Sequence, residues 1–287
     1  MSVPLIHFFY HKETGTWSYV VADPATRVAV VIDPVLDYDA KSGHTNTASA
    51  QQLIDTVHEK AYRLEWILET HAHADHLSAA PFIKKNLGGR IAIGRGITKV
   101  QEIFKPIFNL DDNFSTDGSQ FDHLFDDDEI FFIGEIPARV IPTPGHTNDS
   151  VSYLIGDALF VGDSLFMPDG GSARCDFPGG DAAVLYQSIQ RLFSLPDTTR
   201  MFVCHDYSPG GREPRCETSV AEQKKDNIHV GSGVSEDAFS EMRNKRDATL
   251  GKPALIIPSV QVNIAAGEFP AADNNGIIYL KIPLNTL

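Results

Sequence analysis

Thr70-His71-Ala72-His73-Ala74-Asp75-His76 gathers three imidazoles and a carboxylate into one short stretch. The residues before it, Leu64-Glu65-Trp66-Ile67-Leu68-Glu69, read as a buried strand. Histidine and aspartate sit badly in an apolar core unless partners satisfy their nitrogens and oxygens. A strand that ends in four such side chains points to a metal site, and H-x-H-x-D-H has the spacing of one. The bland alternative is a solvated loop that is rich in histidine.

Three further apolar runs end in the same chemistry. Residues 138–141 lead into Pro144-Gly145-His146-Thr147. Residues 158–161 lead into Gly162-Asp163-Ser164, and residues 201–204 lead into His205-Asp206-Tyr207. In this order the four motifs resemble the metallo-β-lactamase superfamily, over a stretch from about residue 4 to at least residue 256. The resemblance implies an α/β fold, an αββα sandwich, with C-terminal helical and extended additions. It sets a catalytic domain at 1–256, including C-terminal helices. Residues 257–287 then form an extension that folds back on the domain or meets a second subunit in a homodimer.

The resemblance also implies the ligands. His71, His73 and His146 with Asp163 would hold one metal; Asp75, His76 and His205, sharing Asp163, would hold a second. Imidazole and carboxylate suit zinc, iron or manganese alike. Two metals polarise a bridging water for hydrolysis. One metal held by two His and one Asp keeps open positions, as in non-haem Fe(II) oxygenases. The ligand set alone does not choose between these reactions.

Flanking segments discriminate. After the motif the chain reads Leu77-Ser78-Ala79-Ala80, where the hydrolytic glyoxalase II branch has Gly-Gly. Ala173-Arg174-Cys175-Asp176-Phe177-Pro178-Gly179-Gly180 and 242–250 resemble the persulfide dioxygenase branch. That branch implies one Fe(II) per chain on His71, His146 and Asp163, the catalytic residues. His73, Asp75, His76 and His205 would then stand behind the ligands or form a second metal site. The reaction implied is oxidation of glutathione persulfide by O2 to sulfite and glutathione. Arg246, Lys245, Arg215, Arg174 and Arg212 are candidates for the substrate carboxylates, with Tyr207 as a hydroxyl donor. The alternative is a two-zinc thioesterase of the glyoxalase II type, acting on S-acyl glutathione; a lactonase or other hydrolase, and a non-catalytic metal scaffold, stand further back.

Composition narrows the partners. Lys and Arg number 24 against 38 Asp and Glu, a net charge of −14. That balance disfavours nucleic acid and anionic membranes as partners. No apolar run reaches the ~18 residues of a membrane span. Three cysteines, Cys175, Cys204 and Cys216, do not make a disulfide framework. With no basic, apolar leader at the N-terminus, the expectation is a cytoplasmic enzyme.

The elements that must position these residues can be read in outline. Strands are expected at 4–10, 17–22, 28–33, 64–69, 90–93, 130–133, 138–142, 150–155, 158–161 and 201–204. Helices are expected from Asn46 or Thr47 to about 62, over 75–86 with Asp75 and His76 in its first turn, and over 98–105. Others are expected from Asp181 to about 193, with Val184 on the apolar side, from 217 to about 227, and from Ser235 to about 250. Residues 109–128 read as a solvated acidic loop with His123 at the surface. Fragments 254–257 and 276–280 look strand-like.

Overall fold

The computed structural model of the protein describes residues 3–286. Residues 1, 2 and 287, at the limits of the expected domain and extension, lie outside the described residues. The chain opens with β1 (Leu5–His11), β2 (Thr16–Ala22) and β3 (Val28–Ile32). There follow β4 (Val35–Asp39), β5 (His44–Asn46), α1 (Ala48–Glu59) and β6 (Arg63–Leu68). β7 (Leu77–Ser78), α2 (Ala80–Leu87), β8 (Arg90–Gly94), α3 (Ile97–Ile107) and β9 (His123–Phe125) complete the first half. The second half begins with β10 (Ile130–Ile133), β11 (Ile136–Pro142), β12 (Val151–Ile155) and β13 (Ala158–Phe160). After α4 (Ala182–Phe193) come β14 (Arg200–Phe202), β15 (Glu217–Ser219), α5 (Val220–Asp226), α6 (Glu236–Asp247) and α7 (Ile256–Asn263).

Two six-stranded sheets result, ordered β1-β2-β3-β6-β8-β9 and β10-β11-β12-β13-β14-β15, with β4 between β5 and β7 in a small third sheet. β2 and β3 are buried along their whole length, as expected of strands covered on both faces. Alternation sorts their side chains. Tyr19, Val21, Val30 and Ile32 join a core with the second sheet. Val20, Ala22, Ala29 and Val31 join a core with α1, α2 and α3. Tyr19 meets Phe160, and Trp66 meets Phe131, edge to face across the sheets. α4 and α6 bring Leu185, Ile189, Leu192 and Phe239 to the second sheet's core. The layering is that of the αββα sandwich. No helix among the described residues is long and apolar enough to cross a membrane.

Several local expectations are corrected. The helix expected over 75–86 starts only at Ala80, so Asp75 and His76 lie in an irregular stretch. Leu77 and Ser78 are drawn into pairing with β4, and Asn263 captures the carbonyls of His73 and His76 at 2.7 and 2.8 Å. Residues 254–257 are not a strand: α7 begins at Ile256, and Ile256, Val260 and Val262 bury in the core beneath α1 and α2. Residues 276–280 form no strand. Thr47 is at the N-cap of α1 but caps nothing with its side chain. Asp37 takes Ser49 N–H at 3.0 Å instead, and Asn46 takes Ala48 N–H at 2.8 Å. Residues 217–219 pair as β15 before α5 begins. Val184 is exposed. His123 is half-buried on β9, 2.9 Å from Glu129 and packed on Trp66.

Candidate metal centre

Each motif follows a strand. The H-x-H-x-D-H loop follows β6, His146 follows β11, Asp163 follows β13 and His205 follows β14. The central strands β3 and β6, and likewise β13 and β14, run parallel, which brings loops distant in sequence to one edge of the sandwich. Gly145 has φ +130°, and a Cβ there would stand 2.3 Å from Leu185 N. Only glycine lets this loop lie against the first turn of α4. Asp181, the N-cap of α4, accepts from Val184 N–H and donates its own N–H to Gly145 O at 2.8 Å.

The ligand atoms of His71, His146 and Asp163 lie within 4.8 Å of one another, all buried. His146 Nε2 is 3.5 Å and His71 Nε2 4.0 Å from Asp163 Oδ2. Hydrogen-bond partners fix the tautomers. His146 Nδ1 is 2.6 Å from the carbonyl of Arg174, which only accepts, so Nδ1 carries the proton. Thr70 donates its hydroxyl to Asp33 Oδ2 at 2.9 Å and so accepts from His71 Nδ1 at 3.0 Å. Both imidazoles present a bare Nε2. Burial, then the neighbouring His73 and His146, hold His71 well below the ordinary histidine range and neutral. Burial lifts the Asp163 carboxyl, against the pull of His205 and His146.

His73 turns elsewhere. Its Nε2–H goes to Asp33 Oδ1 at 3.0 Å, leaving Nδ1 unpartnered. A second buried group joins His73, His76, Cys204 and His205. His76 gives its Nδ1–H to Leu77 O at 3.2 Å. His205 Nε2 lies 3.2 Å from Asp75 and 3.3 Å from Asp163. Burial pulls His205 down, but Asp163 and Asp75 outweigh it and leave it raised.

The buried atoms without a hydrogen bond include His71 Nε2, His73 Nδ1, Asp75 Oδ2, His76 Nε2, Asp163 Oδ1 and His205 Nε2. Orphaned buried polar atoms are costly. His205 apart, which lies 3.2 Å from Asp75 and 3.3 Å from Asp163, no donor among the described residues meets these converging lone pairs, and such a cluster fits metal ions. The donors are nitrogen and oxygen, which suits iron, manganese or zinc.

A cavity of about 440 Å³ opens onto this group. His146, Asp163 and Asp75 stand at its floor, with Arg174, Tyr207 and Arg246 among its walls and Phe166, Phe177 and Leu250 supplying apolar surface. Tyr207 stacks on His205, centroids 5.7 Å apart and nearly parallel. Arg174 is committed to Asp176, at 2.5 and 2.7 Å, and to Gly251 O at 2.7 Å. Arg246 has no ion-pair partner among the described residues. The other expected cations do not reach the cavity. Arg212 is forked onto Asp169 and Asp206, Arg215 lies in a separate hollow beside Met167 and Asp169, and Lys245 is exposed.

Residues 11–205 match the Metallo-beta-lactamase superfamily. The chain belongs to that superfamily. Within it, a probable metallo-hydrolase of Burkholderia pseudomallei is 50% identical over 97% of this chain and 98% of its own. A beta-lactamase hydrolase-like protein of Xylella fastidiosa is also 50% identical, and this chain, matched along its whole length, spans 66% of it. The persulfide dioxygenase ETHE1 of Bos taurus is 30% identical over 71% of this chain and 68% of its own. The crystal structure of ETHE1 from Myxococcus xanthus superposes with a TM-score of 0.72 at 30% identity, over 92% of this chain and all of that one. The two ETHE1 matches support the ETHE1-like branch of the superfamily.

Sequence reasoning missed residues that hold the site. Asp33, at the end of β3, binds Thr70 N–H at 2.7 Å as well as His73. Asp149 takes Ala72 N–H at 2.7 Å, and Asn263 clamps the loop from α7. The Asp33-Pro34 break after an apolar strand was the available signal for the first; the others had none. Cys204 falls inside the second ligand group, and burial and Asp33 keep its thiol protonated, well above the ordinary range.

Proposed function

We propose that this protein is a persulfide dioxygenase acting at one Fe(II) held by His71, His146 and Asp163. One observation carries the reading: the bare Nε2 atoms of His71 and His146 converge with the Asp163 carboxylate, and His146 and Asp163 line an open cavity. Two His and one carboxylate leave coordination positions open, the arrangement of non-haem Fe(II) oxygenases. Resemblance to persulfide dioxygenases in sequence and in overall structure supports it. Bound there, Fe(II) supplies the redox chemistry that brings both atoms of O2 to the outer sulfur of glutathione persulfide, water then releasing sulfite and glutathione.

The chain's own residues position the substrate. Arg246, unpaired at the cavity wall, takes a carboxylate of the glutathione moiety. Phe166 and Phe177 shape the apolar part and limit water at the floor. Tyr207, stacked on His205, offers its hydroxyl at the rim. Asp75 and His205, 3.2 Å apart, stand where a proton leaving the substrate can be held.

A second reading is a binuclear hydrolase. The orphaned atoms of Asp75, His76 and His205 favour it, as do the hydrolase names of the relatives at 50% identity. Metal analysis of protein purified without added metal, together with oxygen uptake on glutathione persulfide, separates the two. One iron per chain with oxygen uptake, both lost in Asp163→Ala, is the expected result. Two zinc per chain, no uptake and hydrolysis of an S-acyl glutathione overturn the dioxygenase reading.

A further inference from the structure

His146 owes its orientation to a backbone carbonyl, Arg174 O, that lies in no helix or strand. A loop carbonyl serves as a fixed acceptor only if something fixes the loop. Here α6 does, through two side chains one turn apart. Arg243 and Asp247 are 2% and 4% exposed and are joined by Nε–Oδ1 at 2.9 Å and Nη2–Oδ1 at 2.5 Å. Each then reaches into the loop on one side of Arg174. Arg243 Nη1 donates to Ser172 O at 3.2 Å, and Asp247 Oδ2 accepts from Cys175 N–H at 2.7 Å. His229 holds the same strand of loop from behind, accepting from Ser172 N–H at 2.9 Å.

We infer that Asp247, with Arg243, is a positioning residue for the metal ligand His146, acting through Ser172, Cys175 and the carbonyl of Arg174. The chain of contacts is short: the hydrogen bonds from Cys175 N–H to Asp247 and from His146 to Arg174 O meet on the single peptide unit between Arg174 and Cys175. Outer partners that fix the tautomer and ring plane of a ligating histidine also set its basicity, and losing one weakens metal affinity by about 10- to 100-fold. A buried ion pair contributes little stability over apolar residues of the same shape, and its worth lies in fixing geometry. The adjacent residue, Arg246, lines the cavity. The helix that holds the ligand's partner therefore also carries the cation that meets the substrate, so substrate charge and ligand geometry are set by one rigid element. The inference rests on His146 being a ligand, which both readings above require.

The test uses Co(II) as the probe, titrated into metal-free protein against a competing chelator, with the visible absorption recorded. Removing Asp247 alone strands a buried guanidinium, so the first variant is the double substitution Arg243→Met/Asp247→Leu, which keeps volume and removes both charges. The expected result is a folded protein with Co(II) affinity lowered at least about ten-fold and a shifted absorption spectrum. Asp247→Asn is read in the same assay. It keeps an oxygen for Cys175 N–H, and it is expected to fall between wild type and the double variant. Wild-type affinity and spectrum in a folded double variant overturn the inference, as do wild-type values in Asp247→Asn should the double variant not fold. His146→Ala is the control. If it still binds Co(II) with wild-type affinity and spectrum, the assignment of His146 as a ligand has failed, not merely the role of Asp247.

Discussion

His73 donates its Nε2–H to Asp33 Oδ1 across 3.0 Å, with both side chains buried. Asp33 also takes the backbone N–H and the hydroxyl of Thr70. One carboxylate at the end of β3 thus orients the first residue of the metal loop and its second histidine. Asp33→Ala leaves three buried donors without an acceptor. At about 1–3 kcal/mol for each, the expected loss is about 3 kcal/mol or more in the unfolding free energy. Urea titration of the metal-free protein measures it, and an unchanged midpoint would show that the donors find other partners.

Arg246 and Arg212 make a paired prediction. Arg246 is free at the cavity wall; Arg212 spends its donors on Asp169 and Asp206. Arg246→Ala is expected to raise KM for glutathione persulfide about ten-fold or more with kcat little changed, the signature of lost uniform binding. Arg212→Ala is expected to leave KM within about two-fold while loosening the loop after His205. Steady-state kinetics on both variants decide it, and equal effects on KM would contradict the assignment.

Asn263 predicts a role for a helix outside the metal motifs. Its amide donates to His73 O and His76 O, and its oxygen accepts from Ser78 N–H at 2.8 Å. Asn263→Ala is expected to lower metal affinity and to speed amide exchange in residues 74–78, and Asn263→Asp, which sets a buried carboxylate oxygen against both carbonyls, is expected to do so at least as strongly. Hydrogen exchange on the metal-free protein reads this directly. Wild-type protection at 74–78 in Asn263→Ala would remove α7 from the support of the loop.

His229 predicts a pH dependence. Burial, with Arg243 and Arg246 nearby, pushes its pKa down to about 4 from 6.5. The unfolded chain therefore binds a proton between about pH 6.5 and 4 that the folded chain refuses. The stability it contributes is fully present above the unfolded value and falls as pH drops through this window. Two to three pKa units correspond to about 3 kcal/mol. His229→Gln keeps an acceptor for Ser172 N–H without the proton site, so it should flatten the difference in stability between pH 7 and pH 4.5 relative to wild type. Parallel pH profiles for the two proteins would refute this.

The candidate metal residues were legible because chemistry constrains them to a short motif: His71, His73, Asp75 and His76 are local, and strand-end His146, Asp163 and His205 follow apolar runs. The two-sheet core was legible for the same reason, since strands buried on both faces read as apolar runs. What sequence could not decide was orientation. All four motif side chains are able to ligate, and only the fold shows His73 turned to Asp33, because Asp33 arrives from a different strand, brought alongside by the parallel pairing of β3 and β6. The same holds for the basic residues. Arg174, Arg212, Arg215, Lys245 and Arg246 are alike on paper, yet Arg212 is consumed by carboxylates and Arg246 is not, a distinction made by neighbours that sequence order does not supply. Residues 254–257 show the converse. Their β-branched, apolar composition suits a strand, but α7 buries Ile256, Val260 and Val262 on one core and delivers Asn263 to the metal loop. Local pattern determined which atoms were available for chemistry; long-range packing determined which of them converge on the candidate metal centre, which line the cavity and which hold the others still.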